Sequence, residues 1–338
     1  MASGDDTHRP SSSSSGRGTG PGEHLPGGSP PAPSGEDTAG LNTTSSYHRF
    51  APIDLMAELT ICESFSGPGS PYCIVLEQAC SYGAMVGGFL SRNGMLGSSA
   101  TICEVGGGYG SLMHGLLESF GAAIERVCMV DLSAGLLRRQ RQRLSGLHPR
   151  VSFIRGDIQE LLGAISGIDL FIVNEVMGDL DTLTGIDPSR PPEAAEELIR
   201  TYGLDIPQEP FSLNIGALRL VEALCAAGIP AFLSEHSCDP IIPPDMAYLA
   251  QGLELDSYPR EIRLRGHSEY TIRFSHLERI ARAQGRTVAT GSLLEIVPVK
   301  RTRSLETIFR LKACDTAARE LVYELLDHIR EYRWLTIR

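Results

Sequence analysis

The sequence predicts an α/β fold: a mostly parallel sheet of seven strands with helices on both faces and helical additions at both ends of the chain. Short apolar runs alternate with segments of helical periodicity from residue 100 to residue 233. A cluster of glycines at 106–110 directly follows the first apolar run, and further strand-like segments come after residue 260. This alternation is typical of right-handed βαβ units, whose ligands bind at the carboxyl ends of the strands.

The individual elements follow from the period of the apolar residues. Strands are predicted at 100–105, 126–130, 151–155, 168–173 and 229–233, with helices at 111–120, 134–144, 159–165 and 213–227. Segments 261–265 and 287–299 are predicted as two closing strands, one of them antiparallel, around a helix at 275–284. Further helices are predicted at 51–65 and 74–90, before the first strand, and at 305–313 and 317–334, after the last.

The chain is expected to divide into four parts. Residues 1–46 are rich in Ser, Gly and Pro, which predicts a disordered low-complexity tail. Residues 47–97 are interpreted as a helical cap, either on the substrate side or as plain structural packing. Residues 98–300 form the α/β domain. Residues 301–338 are predicted as a C-terminal helical extension, which either docks onto the domain or pairs two chains as a homodimer.

Composition and charge narrow the classes of partner. The 338 residues carry a net charge of −11, which argues against nucleic acid and anionic membranes and leaves small molecules and peptides. No apolar stretch suits a membrane span, and the N-terminus lacks the apolar core of a secretory signal. Eight cysteines without a CxxC pair predict reduced thiols, with no disulfide scaffold and no metal site. These features predict a cytoplasmic protein.

The main functional signal is the segment Glu104-Val-Gly106-Gly-Gly108-Tyr-Gly110, between a predicted strand and a predicted helix. Glycines let the backbone turn sharply and approach a ligand closely. A dinucleotide fingerprint needs a glycine where this sequence has Ser111, and an acid beside the turn repels phosphate. The segment therefore favours a positively charged cofactor. A nicotinamide-dependent oxidoreductase with the same sheet is the rival interpretation.

This motif and the next three strand ends resemble class I, Rossmann-like S-adenosylmethionine-dependent methyltransferases over roughly residues 100–240. The resemblance implies that 98–300 is the methyltransferase domain, that Asp131 accepts the ribose hydroxyls, and that Asp157 with Ile158 reads the adenine. Each of these acids alone could instead be a helix N-cap. The residues that the resemblance assigns to S-adenosyl-L-methionine, and to its product S-adenosyl-L-homocysteine, are Glu104, Gly106, Gly108, Gly110, Asp131, Leu132, Asp157, Ile158 and Asn174.

The resemblance also implies transfer of a methyl group to an O, N or C acceptor, most simply a small molecule or a peptide. Such an in-line displacement needs an aligned nucleophile and, where necessary, a base. The catalytic candidates are Glu175, His236 and His267, an acid at the fourth strand end and two imidazoles that titrate near neutral pH.

Two alternatives concern the same site. Segment 174–178 (Asn-Glu-Val-Met-Gly) resembles a loop of protein arginine methyltransferases, but the second acid and the Thr-His-Trp loop of those enzymes have no clear match. An arginine methyltransferase-like enzyme and a non-catalytic S-adenosylmethionine-binding protein are therefore the alternatives.

Overall fold

The structure is a computed structural model that describes residues 39–55, 59–147 and 150–338, all within one compact unit. Most of the predicted tail at 1–46 lies outside the described residues. The strands are β1 (Gly40–Asn42), β2 (Ala100–Val105), β3 (Ile124–Asp131), β4 (Val151–Arg155), β5 (Leu170–Asn174), β6 (Thr182–Ile186), β7 (Phe211–Leu213), β8 (Ala231–His236), β9 (Glu261–Arg263), β10 (Ser268–Tyr270), β11 (Val288–Ser292) and β12 (Tyr332–Ile337). The helices are α1 (Ser45–Phe50), α2 (Ile61–Ser64), α3 (Tyr82–Arg92), α4 (Ser111–Phe120), α5 (Ala134–Arg143), α6 (Ile158–Leu161), α7 (Glu193–Tyr202), α8 (Ile215–Ala227), α9 (Phe274–Ala283), α10 (Arg303–Leu311) and α11 (Ala317–Ile329).

The central sheet has seven strands in the order β11-β12-β8-β5-β2-β3-β4. The strands from β8 to β4 pair in parallel, and β12 runs antiparallel to both β8 and β11. The predicted seven-stranded, mostly parallel α/β sheet is therefore confirmed. The order reverses at β2, which lies between β3 and β5, so the crevice for a ligand is expected at the carboxyl end of β2.

Helices cover both faces because successive side chains of a strand point to opposite sides. On β2, Ile102 belongs to the apolar cluster that includes α3, α4 and α11, whereas Cys103 belongs to the cluster that includes α8 and α9. Both side chains are fully buried. Each of the eight cysteines is unpaired. In the described part of the chain, no helix has the length and apolar composition that crossing a bilayer requires.

The C-terminal part differs from the prediction. The helix predicted at 317–334 ends at Ile329, and β12 lies inside the sheet, hydrogen-bonded to β8 and β11. All six residues of β12 are buried. Pairing on both edges outweighs the helical propensity of this segment, as tertiary context often does. Residues 301–338 are therefore not a separate helical extension, because their last strand completes the central sheet.

Two smaller sheets also depart from the prediction. Residues 261–265, expected as a closing strand, contribute β9 to a two-stranded hairpin with β10. β1 and β7 pair with β6 in a three-stranded antiparallel sheet, which ties the N-terminal residues to the chain after β5. The pairing of β1 with β6 cannot be read from local periodicity, since the two strands lie about 140 residues apart along the chain.

The predicted helices at 51–65 and 74–90 are shorter than expected. Only Ile61–Ser64 and Tyr82–Arg92 are α-helical, and residues 56–58 lie outside the described part. α3 begins at its N-cap, because the Ser81 hydroxyl accepts a hydrogen bond from the amide of Ala84. The expected helical cap at 47–97 is thus a mixture of short helices and irregular chain.

Candidate active site

The glycine turn lies at the carboxyl end of β2, at the point where the strand order reverses. Gly106 and Gly108 have φ angles of 63° and 51°, a region that favours glycine. A Cβ on Gly106 would lie 2.4 Å from Val176 Cγ2, and one on Gly108 would lie 2.8 Å from Leu55 Cδ1. The side chains of Val176 and Leu55 therefore pack directly against the turn, and we call the cleft beside it the glycine cleft.

The predicted cofactor residues converge on this cleft. Its lining includes eight of the nine: Glu104, Gly106, Gly108, Asp131, Leu132, Asp157, Ile158 and Asn174. The ninth, Gly110, lies at the N-cap of α4 with a φ of 84° and does not line the cleft. The side chains come from four consecutive strand ends, as βαβ geometry requires.

Glu104 supplies a buried carboxyl to the cleft. It is 2% exposed, and its Oε2 makes no hydrogen bond with any described residue. Burial, together with the nearby charge of Asp131, raises its pKa to about 8. A buried acceptor without a partner is uncommon, so a cationic or hydrogen-bond-donating ligand would complete this site.

Asp131 ends β3 on the opposite side of the turn. Its Oδ1 accepts the amide of Ser133 at 2.8 Å, and its Oδ2 accepts Nε2 of Gln140 at 2.8 Å. Burial raises its pKa to about 6, although these two hydrogen bonds act in the opposite direction. Each carboxylate oxygen retains a lone pair that could accept a hydroxyl of a ligand.

The chain before α3 also lines the glycine cleft; most of it belongs to segment 47–97, which the sequence led us to interpret as a cap on the substrate side or as plain packing. We call residues 43–55 and 59–63 the N-terminal arm; it contributes Thr43, Ser45, His48, Ile53, Leu55, Thr60, Cys62 and Glu63. The hydroxyl of Tyr109, in the glycine turn, accepts the amide of Leu55 and donates to Asp54, both at 2.9 Å. No motif in the arm signalled these contacts.

Glu175 fixes the arm to the end of β5. Its carboxylate accepts the amides of Ile61 and Cys62 at 2.9 and 3.3 Å and the hydroxyl of Tyr332 at 2.8 Å. Nδ2 of Asn174 donates to it as well, at 3.1 Å. Burial raises the pKa of Glu175, and the hydrogen bonds from Ile61, Tyr332 and Cys62 act against that shift. The carboxylate is thus used as a hydrogen-bond hub within the fold.

A second cavity of about 710 Å³ adjoins the glycine cleft. We call it the histidine cavity, since His48, His236, His267 and His328 line it. Burial and the neighbouring His328 hold the pKa of His236 well below its usual range, and burial lowers the pKa of His328 to about 4. Both rings are therefore neutral at physiological pH, and each has a ring nitrogen that can accept a hydrogen bond.

His267 lies in a different electrostatic setting. Its Nε2 is 3.3 Å from Glu269 Oε1 and 3.5 Å from Asp179 Oδ1. Hydrogen bonds and charge from these acids raise the pKa of His267 to about 10, although burial opposes the shift. His267 is therefore a cation at neutral pH and, in this state, has no free lone pair for the role of a base.

A family model matches part of the chain. Residues 102–202 match the model described as a methyltransferase domain. This stretch runs from β2 to the end of α7 and contains the glycine turn, Asp131, Asp157 and Glu175. A search of the curated proteins returned no match.

One solved structure shares the fold, and others are more distantly similar. An uncharacterized protein from Burkholderia thailandensis is 18% identical, with a TM-score of 0.52 over 88% of this chain and 87% of that chain. The plantazolicin methyltransferase BamL is 10% identical, with a TM-score of 0.41 over 76% and 84% of the two chains. The CcbJ methyltransferase from Streptomyces caelestis is also 10% identical, with a TM-score of 0.40 over 76% and 88%.

Proposed function

We propose that this chain, an S-adenosylmethionine-dependent methyltransferase, moves the methyl group to an acceptor in the histidine cavity and that His236 removes the acceptor's proton. The glycine cleft fits the cofactor, because Glu104 offers an unsatisfied buried acceptor and the glycine turn leaves no room for a Cβ. When bound, S-adenosylmethionine supplies an electrophilic methyl group on a sulfonium.

The observation that carries the proposal is the wall that the two cavities share. A group bound in the glycine cleft can face an acceptor in the histidine cavity across this wall, and alignment of that kind supplies much of the rate of a displacement. The shared lining residues are His48, Ile53, Leu55, Thr60, Glu175 and Asp179.

We assign different tasks to the residues of the site. Glu104, Asp131 and Asp157 would hold the cofactor. His236, neutral and on the cavity wall, would accept a proton from the attacking oxygen or nitrogen. Glu175 would act as a positioning residue, because its carboxylate is already occupied by four protein donors.

The acceptor is proposed to be a small molecule or a peptide. The cavity volume of about 710 Å³ supports this size class, since ligand pockets commonly enclose about 300–1,000 Å³. We also retain the cytoplasm as the proposed location, supported by the unpaired state of all eight cysteines. Homodimer formation stays a prediction.

An acceptor with a cationic nitrogen, as in an arginine methyltransferase-like enzyme, is the second candidate. Glu235 lines the histidine cavity and is 4% exposed. Burial and the negative charges of Glu269 and Glu175 raise its pKa well above the usual range. An ammonium or guanidinium group would reduce the repulsion among these acids. Glu235 would then be the second acid, for which the sequence showed no clear match.

The test is methyl transfer from radiolabelled S-adenosylmethionine to pools of phenols, amines and arginine peptides. With the best acceptor, His236→Asn is expected to lower kcat by about 100-fold, the lower end for a general base, with cofactor affinity unchanged. His114→Asn, on the outer face of α4, is the matched control. Wild-type turnover by His236→Asn would exclude the base assignment. Folded protein that binds no S-adenosylmethionine would exclude the function.

A further inference from the structure

We propose that His48, Asp179 and His267 form a binding site for one divalent transition-metal ion at the border of the two cavities. His48 lies on α1, Asp179 follows β5, and His267 lies in the turn of the β9–β10 hairpin. His48 and Asp179 line both cavities, and His267 lines the histidine cavity. The lack of a CxxC pair predicted no metal site, and these three residues are too far apart along the chain to be recognised as a ligand set.

The distances between the ligand atoms suit one central ion. His48 Nε2 lies 2.8 Å from Asp179 Oδ1, and His267 Nε2 lies 3.5 Å from the same oxygen. All three ligand atoms lie within 4.8 Å of one another. Atoms bound at about 2.1 Å from one ion are about 3.0 Å apart at octahedral angles and about 3.4 Å apart at tetrahedral angles.

The three side chains already pair by charge. His48 Nε2 and Asp179 Oδ1 form an ion pair at 2.8 Å, and His267 Nε2 is 3.5 Å from the same oxygen. An imidazole nitrogen binds a metal only after it loses its proton. A divalent ion would therefore replace the protons between the two rings and the carboxylate, and its own positive charge would take over their role beside Asp179.

Neighbouring rings hold the imidazoles in place. The ring of Tyr47 stacks on that of His267 with centroids 4.2 Å apart, and it meets His48 edge-on at 5.3 Å. The side chain of His267 is only 5% exposed. Glu269 Oε1, 3.3 Å from His267 Nε2, is close enough to become a further ligand or to orient the ring.

The ligand set indicates the class of metal. Two imidazole nitrogens and one carboxylate suit Zn²⁺, Mn²⁺, Fe²⁺ or Co²⁺, whereas Mg²⁺ and Ca²⁺ prefer oxygen ligands. Three protein ligands leave a coordination position open, as in catalytic sites. His48, Asp179 and His267 all line the cavity that the proposed function assigns to the acceptor, so an acceptor oxygen or nitrogen could occupy the open position. This last step rests on the proposed function; the binding of the ion does not.

The experiment uses the full chain, stripped with a chelator and dialysed. Calorimetric titration with Zn²⁺ and Mn²⁺ is expected to show one site per chain, and Co²⁺ is expected to give visible absorption bands. His48→Ala and His267→Ala should each weaken binding at least 100-fold, and Asp179→Asn serves as a third variant of similar shape. His114→Ala, whose ring pairs with Glu118 outside both cavities, should bind like the wild type.

Circular dichroism and thermal unfolding report whether each variant is folded, and titration of S-adenosylmethionine in the same samples tests the proposed function. Wild-type protein that binds the cofactor but none of the three ions would overturn the metal site and leave the proposed function intact. Metal binding that persists in both histidine variants would also overturn it. One ion per chain that is lost in the variants, with no cofactor binding in any sample, would support the metal site and remove the proposed function.

Discussion

The buried carboxyl of Glu104 makes cofactor affinity depend on pH. In the free protein its pKa is about 8, because burial disfavours the charged form. A sulfonium or ammonium group beside it favours the ionised form, so binding requires the proton to leave. Affinity should therefore rise with pH and level off above pH 8. At pH 6.5 only about 3% of the Glu104 carboxyls are ionised, so the Kd should be about 30-fold higher than at pH 9. This ratio corresponds to a loss of about 2 kcal/mol in the free energy of binding.

Isothermal titration of S-adenosylmethionine between pH 6.5 and 9, in buffers of different ionisation enthalpy, measures both the Kd and the protons released. Glu104→Gln cannot titrate, so its Kd should lose most of this pH dependence and the proton release at pH 7 should largely disappear. The control is Glu118→Gln, on the exposed side of α4, which should show the same pH dependence of the Kd as the wild type. A wild-type Kd that is constant over this range, or an unchanged profile in Glu104→Gln, would refute the reasoning.

Three further predictions follow from the packing. Gly108→Val should weaken S-adenosylmethionine binding at least tenfold, because the new Cβ would meet Leu55 at 2.8 Å and the φ of this position is positive. The control is Gly94→Ala, which is also at positive φ but in open space and should leave the calorimetric Kd unchanged. Tyr332→Phe removes a donor to a buried carboxylate and should lower the free energy of unfolding, measured by urea denaturation, by about 1.5–3 kcal/mol. A variant as stable as the wild type would contradict this. Deletion of 332–338 should abolish cooperative unfolding in calorimetry, whereas a cooperative transition near the wild-type Tm would show that β12 is dispensable.

The glycine cleft could be predicted largely from the sequence, because its parts are local. Each strand of a βαβ unit is followed at once by the loop that contacts the ligand, so the position of Asp131 after one apolar run and Asp157 after the next already places both at one edge of the sheet. The structure brings them to the same cleft as Glu104. Their binding roles stay predictions until the cofactor is titrated.

The rest of the site could not be predicted, because it depends on contacts between distant parts of the chain. His48 meets Asp179 across about 130 residues, and Tyr332 meets Glu175 across 157. No periodicity encodes such contacts. The charge state of His267 was hidden for the same reason, since Asp179 approaches it from another element. β12 was missed because it directly follows a helical segment and is stabilised by pairing with β8 and β11, which lie far away along the chain.

The N-terminal arm has a consequence for the kinetics of ligand exchange. It lines the glycine cleft, and hydrogen bonds from Thr44, Ile61 and Cys62 fasten it to the loop after β5. We expect a nucleoside bound against this arm to leave only after some of these bonds break. Association should then be slower than free collision permits, and departure of the demethylated product should limit turnover whenever the chemical step is fast.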